Sequence, residues 1–254
     1  MRKILGSLRK ADKMFDLIQD GDRIAVGVSG GKDSVLLLWA LHIYATNFPD
    51  KNFSVVGITL KFGFDGMDFD PLVKFCADRG IEYHAYNTDM RKILEANADK
   101  DGRLPCSLCS KFKKALVIDY AKQNGCNKFA FGHHVDDAIE TVFMNAIFNG
   151  KLGTFVPKMY LDRDGMEMIR PFALVHEADI ISAHERNEDL VIVQSMCPMD
   201  KHTSREDVKA LMESIYAQYP QARNNFVNML TNTDDIRLWD IEDFTTNYIG
   251  PNKN

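Results

Sequence analysis

No apolar run in the 254-residue chain reaches the length of a membrane span, and no membrane partner is expected. The opening stretch, MRKILGSLRKADKMF, has basic residues but neither a continuous apolar core nor a small-residue cleavage site, so it does not read as a signal peptide. The expected location is the cytoplasm. Repeats and low-complexity segments are absent. Basic charge is not in excess: 31 Lys and Arg stand against 36 Asp and Glu, a formal net charge of -5. That balance disfavours a general nucleic-acid binder but leaves room for local patches. Two candidates are Arg2, Lys3, Arg9, Lys10 and Lys13, and Lys111, Lys113 and Lys114. Cysteine is sparse and odd in number: Cys76, Cys106, Cys109, Cys126 and Cys197. Without an export signal, that speaks against a disulfide framework and leaves metal binding, redox chemistry or core filling.

What is present is a hydrophobic content of 45%, enough for one large domain or for one domain with a helical appendage. Residues 1–20 read as an amphipathic helix. Strands are expected at 23–28, 53–60, 81–86, 128–131, 168–170 and 190–193. Helices are expected at 34–45, 71–79, 111–124, 136–148 and near 177–186. This alternation predicts an α/β fold with a mostly parallel sheet covered by helices on both faces. Ligands in such sheets bind beyond the carboxyl ends of the strands. From 203 the pattern turns purely helical, over 204–218 and 221–230, and ends in a polar tail. The expected organisation is thus an N-terminal helix at 1–20, a nucleotide-binding domain at 21–202, and a helical C-terminal extension and tail at 203–254.

The first post-strand loop is Ser29-Gly30-Gly31-Lys32-Asp33-Ser34. Two glycines permit positive φ and close backbone approach. The helix that follows offers unpaired amides and the positive end of its dipole to an anion. Lys32 adds a point charge, and Ser29 and Ser34 add hydroxyls. Asp33 is expected either to cap the helix or to partner Mg²⁺. Neither G-x-x-x-x-G-K-[ST] nor G-x-G-x-x-G is present. A second such loop, Phe131-Gly132-His133-His134-Val135-Asp136-Asp137, also follows a strand and opens a helix. Gly132 would let a nucleotide approach the backbone. Asp136 is read as a Mg²⁺ or substrate-positioning group, and Asp137 mainly as a helix-start acid.

Cys106-Ser107-Leu108-Cys109 follows Pro105. By itself the pair fits a redox couple, half a zinc site or part of an iron–sulfur site. Cys197, placed after the strand expected at 190–193, should share the rim with it. Three thiolates there would hold a cubane cluster and leave one iron open. Cys76 and Cys126 read as structural cysteines.

Ser-Gly-Gly-Lys-Asp-Ser after a first strand is the motif of the PP-loop ATP pyrophosphatases, which this chain resembles. The resemblance implies that residues 29–34 wrap the β- and γ-phosphates of ATP and that Ile58 and Thr59 lie near the adenine. Gly21-Asp22-Arg23-Ile24, the cysteine pair, Gly132 to Asp137, Gly150-Lys151-Leu152 and Ile169-Arg170-Pro171-Phe172 extend the likeness in order. Together they resemble the TtcA family of tRNA 2-thiocytidine synthetases. That resemblance implies tRNA as partner, a 4Fe-4S cluster on Cys106, Cys109 and Cys197, and a sulfur donor, either a cysteine desulfurase or free sulfide. It carries catalytic roles to Lys113 and Asp136 beside Lys32, and a homodimer is among the assemblies considered. The family's second C-x-x-C is here Ser195-Met196-Cys197-Pro198-Met199, with a single cysteine. The competing readings are a lysidine-forming PP-loop enzyme, a sulfurtransferase or desulfurase for another nucleobase or a small molecule, and a non-catalytic nucleotide-binding redox sensor.

Overall fold

The computed structural model describes residues 1–48, 51–64, 66–194, 196–197, 204–232 and 234. The elements run α1 (Arg2–Phe15), β1 (Arg23–Gly27), α2 (Lys32–Asn47), β2 (Ser54–Lys61), α3 (Asp70–Asp78), β3 (Glu82–Asn87), α4 (Met90–Ala96), α5 (Cys106–Gln123), β4 (Lys128–Ala130), α6 (Val135–Asn149), β5 (Lys158–Leu161), β6 (Met166–Ile169), α7 (Glu177–Glu185), α8 (Ser204–Gln218) and α9 (Ala222–Met229). One six-stranded sheet has the order β3-β2-β1-β4-β6-β5. Every neighbouring pair is parallel except β5 with β6. This is the mostly parallel α/β sheet that the alternating pattern predicted.

Burial on both faces explains why the central strands are apolar. In β1, Ile24 and Val26 point into one core with α1, α2, α3 and α7 residues, while Ala25 joins Val56, Ile58, Val117 and Phe129 in the other. Helix α2 buries Leu36, Leu37, Leu38 and Leu41, which lie on several sides of it, as expected of a helix enclosed by its neighbours.

Several boundaries differ from the sequence reading. Helix α1 stops at Phe15 rather than near residue 20, with Asp16 at φ 52°. The cause is Asp12: its carbonyl accepts from Leu17 (3.2 Å) and its carboxylate from Ile18 (2.9 Å), turning the chain off the helix axis. The same carboxylate accepts from Tyr44 (2.8 Å) and Lys51 (2.7 Å). Helix α5 begins at Cys106, directly after Pro105, five residues earlier than expected. Residues 190–193 form no strand. They run against the phosphate loop, where the Val193 amide donates to the Gly30 carbonyl (2.9 Å).

Two elements escaped the sequence reading. Helix α4 is short and is held by Met90 and Leu94. Strand β5 pairs antiparallel with β6 around a turn closed by Gly165 at φ 60°.

The chain divides into two compact units, Met1–Leu211 and Met212–Asn254. Within the second, Arg223 lies 4.2 Å over the Tyr216 ring and 3.3 Å from Glu213. Most of the tail, and the junction expected at 202–203, fall outside the described residues.

Candidate active site

Strand β2 fixes where the phosphate loop begins. Val28 donates its amide to Ile58 (2.8 Å), and the Thr59 hydroxyl donates to the Val28 carbonyl (2.8 Å). Ile58 and Thr59 are both buried. Gly30 adopts φ +89°, where a β-carbon would lie 2.6 Å from Val193 Cβ. Gly31 does not share that conformation: at φ -72° and ψ 159° it is the N-cap of α2, so one glycine of the two carries the positive φ. The loop hydroxyls hold each other. Ser34 Oγ accepts from the Ser29 amide (3.1 Å), lies 3.1 Å from Ser29 Oγ and donates to the Gly31 carbonyl (2.9 Å). The loop is therefore shaped in advance, with the unpaired first-turn amides of α2 behind it.

The second motif meets the first, backbone to backbone. A β-carbon on Gly132 would stand 3.0 Å from the Asp33 carbonyl carbon and 3.1 Å from the Ser34 nitrogen. His134 and Asp137 then form a capping box. The Asp137 carboxylate accepts from the His134 amide (2.9 Å), and His134 Nδ1 accepts from the Asp137 amide (3.3 Å). Asp137 is thus the helix-start acid that the motif suggested, and Arg205 of α8 adds an ion pair at 2.7 Å. Asp136 turns the other way. It accepts from the Glu177 amide (2.8 Å) and lies 3.4 Å from His176 Nδ1, so it anchors the start of α7. Burial would raise its pKa, but His176 and that amide bring it below the ordinary carboxylate value. His133 is kept neutral, because burial pushes its pKa down to about 4. Its ring lies 5.2 Å from Phe155, over which Arg170 stacks at 4.5 Å.

Lys32 is held by acids on two elements: Asp33 (3.1 Å) and Glu177 (3.0 Å). Burial alone would lower its pKa, yet these two carboxylates raise it, so it stays charged. Asp33 makes no capping bond to α2 and pairs with Lys32 instead. Glu177 is shared, since Lys209 of α8 reaches the same carboxylate at 2.8 Å. His184 Nε2 lies 2.9 Å from the Lys32 carbonyl. Glu140, one turn further along α6, is buried, and burial pushes its pKa up to about 7.

The cysteine pair opens helix α5 and is not in a loop before it. Cys109 is half-buried against the cluster of Phe62, Met90 and Leu94, just beyond the carboxyl end of β2. Lys113, four residues on and hence on the same helix face, holds its ammonium 5.1 Å from the Phe62 ring. Cys197 is half-buried, and its neighbour Met196 packs 3.4 Å from the β-carbon position of Gly66, in the loop after β2. Cys109 and Cys197 thus belong to the carboxyl rim. The other two described cysteines do not suit thiolate chemistry: burial pushes Cys76 and Cys126 up to about 11. Among the described residues, which do not include the Cys106 side chain, no three His, Cys, Asp or Glu groups stand together as a metal site. The donor chemistry nonetheless fits a soft-metal cluster. The two described rim cysteines are half-buried, whereas Cys76 and Cys126 are packed into the core.

Residues 5–191 match the PP-loop domain family. The chain is 33% identical to the tRNA-cytidine(32) 2-sulfurtransferase of Geobacter metallireducens, over 95% of this chain and 93% of that one. It is 34% identical to the protein of the same name from Geotalea daltonii, over 94% of each. The chain belongs to this PP-loop sulfurtransferase family. Among solved structures, the U34-tRNA thiolase NcsA of Methanococcus maripaludis, described with its 4Fe-4S cluster, superposes with a TM-score of 0.70 at 25% identity, covering 91% of this chain and 79% of that one. Family membership agrees with the ordered motifs from Gly21 to Phe172.

Glu177, Arg205 and His184 touch the phosphate loop or the motif beside it, Lys209 touches Glu177, and the sequence pattern singled out none of the four. Glu177 was findable, because it starts the helix after β6 and so lies on the carboxyl rim. Arg205 and Lys209 were not, since they sit on a helix that follows no strand.

Proposed function

We propose that the chain replaces the C2 oxygen of a tRNA cytidine with sulfur, at the expense of ATP. The observation that carries this reading is the contact of Gly132 with the start of α2, beside a rim that also holds Cys109 and Cys197. ATP would lie with its β- and γ-phosphates in the loop of residues 29–34 and its adenine near Ile58 and Thr59. Lys32 neutralises phosphate charge. Asp33 and Asp136 are the carboxylates proposed for Mg²⁺. The cytidine C2 oxygen attacks the α-phosphorus, pyrophosphate leaves, and the base carries an AMP leaving group at C2. Lys113 stabilises the charge that develops as AMP departs. A 4Fe-4S cluster held by Cys106, Cys109 and Cys197 would supply a site for the incoming sulfur, which a cysteine desulfurase or free sulfide provides. The chain's part is to hold the unstacked base and the nucleotide in line. A cytoplasmic enzyme, working as a homodimer, is the proposed setting.

The test is anaerobic purification with iron and sulfide analysis, followed by pyrophosphate release with and without tRNA. Iron near four per chain and tRNA-dependent release are expected. Iron-free protein from anoxic cells would overturn the cluster assignment. Cluster retention in Cys197→Ala would move the third ligand elsewhere. ATP binding without any tRNA-dependent pyrophosphate release would favour the sensor reading.

A further inference from the structure

Three charges in a row connect helix α8 to the phosphate loop. The Lys209 ammonium contacts the Glu177 carboxylate at 2.8 Å, and one oxygen of that carboxylate, Oε1, also takes Lys32 at 3.0 Å. Glu177 cannot swing away freely, because its own amide is fixed to Asp136 at 2.8 Å. The carboxylate is largely shielded, with 17% of its side chain exposed, so it needs a cationic partner at all times. Lys32 cannot give full contact to a phosphate while it is bound to Glu177. If it left and no other cation were at hand, a shielded carboxylate would be stranded next to a polyanion. Lys209 is already in place to prevent that. Arg205, one turn earlier on α8, is tied to Asp137 at 2.7 Å.

We propose that Glu177 is a positioning residue that holds Lys32 back from the phosphate path, and that Lys209 neutralises Glu177 when ATP draws Lys32 away. The proposal rests on the reading that ATP binds at residues 29–34. The pair makes the triphosphate site depend on the first turns of α8. Lys32 moves between two anions, and Glu177 is never left alone.

The test is ATP binding by calorimetry on the full chain, with folding checked by thermal melting. Lys209→Met leaves Lys32 as the remaining ammonium on Glu177, and ATP affinity should fall about tenfold, the scale of one charge-assisted contact. Glu177→Gln frees Lys32. Added to Lys209→Met, it should restore affinity to within about twofold of the parent chain. Lys209→Arg should bind as the parent does. Arg205→Met removes the same charge from the same helix without touching Glu177, so Glu177→Gln should not rescue it. The proposal is overturned if the Glu177→Gln, Lys209→Met double variant binds ATP no better than Lys209→Met. It is equally overturned if Glu177→Gln rescues Arg205→Met as well, since bulk charge would then explain the effect. Lys32→Met separates the two readings. If it leaves ATP affinity unchanged, the phosphate-loop assignment itself fails.

Discussion

Gly132 lies so close to Asp33 that a β-carbon on it would stand 3.0 Å from the Asp33 carbonyl carbon. The atoms it would strike belong to the backbone at the start of α2, which cannot give way as a side-chain tip can. Gly132→Ala should therefore part the two nucleotide loops by a few tenths of an ångström. The expected result is a loss of ATP affinity of about tenfold or more, with the melting temperature changed far less than by a core substitution. Calorimetry beside a thermal melt checks it, and unaltered ATP binding would show that the two loops need not touch.

Asp12 should matter for folding and not for chemistry. Its buried carboxylate collects the Ile18 amide, the Tyr44 hydroxyl and the Lys51 ammonium. Asp12→Ala strands the Ile18 amide and the Tyr44 hydroxyl, leaves Lys51 with the Ile18 carbonyl (2.6 Å) as partner, and removes the side-chain half of the stop of α1. A loss of about 3 kcal/mol is expected, read from denaturant unfolding. A change below about 0.5 kcal/mol would mean that these donors find water instead.

Glu140 and His133 should oppose each other across acid pH. Burial raises Glu140 from 4.5 to about 7, so the folded chain binds this proton more tightly than the unfolded one. The stability it contributes is complete below pH 4.5 and is lost as pH rises through 7. His133 is lowered from 6.5 to about 4. Its contribution is complete above pH 6.5 and is lost as pH falls through 4. The two slopes largely cancel in the parent chain, each being on the order of 2–3 kcal/mol over its window. Glu140→Gln should uncover a stability that climbs between pH 4 and 6.5, and His133→Gln one that declines between pH 4.5 and 7. Chemical denaturation at several pH values measures both, and parallel profiles for the two variants would refute the assignment.

The five cysteines should separate into two groups. Cys109→Ala should abolish the visible absorbance and bound iron of anaerobically purified protein, while Cys76→Ala and Cys126→Ala should keep both. Iron loss in either core variant, with the fold intact by circular dichroism, would contradict the sorting by position.

The central strands and the phosphate loop were readable because local chemistry decides them. Ile24 to Val28 is apolar enough to be buried on both sides, and glycines follow at once. Gly132 was readable as a glycine in a post-strand loop, though its partner, Asp33, is about a hundred residues away. What the sequence concealed depends on distant groups. Asp12 ends α1 through contacts that reach Tyr44 and Lys51, which no helical pattern encodes. Residues 190–193 are as apolar as a strand, yet they meet the loop at Gly30 instead of another strand. The Asp164-Gly165 turn did carry a hairpin signal between β5 and β6. It was obscured because the flanking segments are only four residues each. Glu177 and Lys209 meet in an ion pair between α7 and α8 that no local pattern encodes.

The high proton affinity of Cys76 and Cys126 also sets how this chain meets electrophiles and oxidants. At neutral pH a thiol held near 11 is almost wholly uncharged, and both sulfurs are shut away from solvent. Alkylating agents and peroxide should pass them by at any rate that matters to a growing cell. In the native chain, the number of cysteines that a neutral-pH alkylating reagent captures then becomes a direct count of rim sulfurs left outside the proposed cluster. Maturation of the enzyme could be followed with nothing more than a coloured thiol probe.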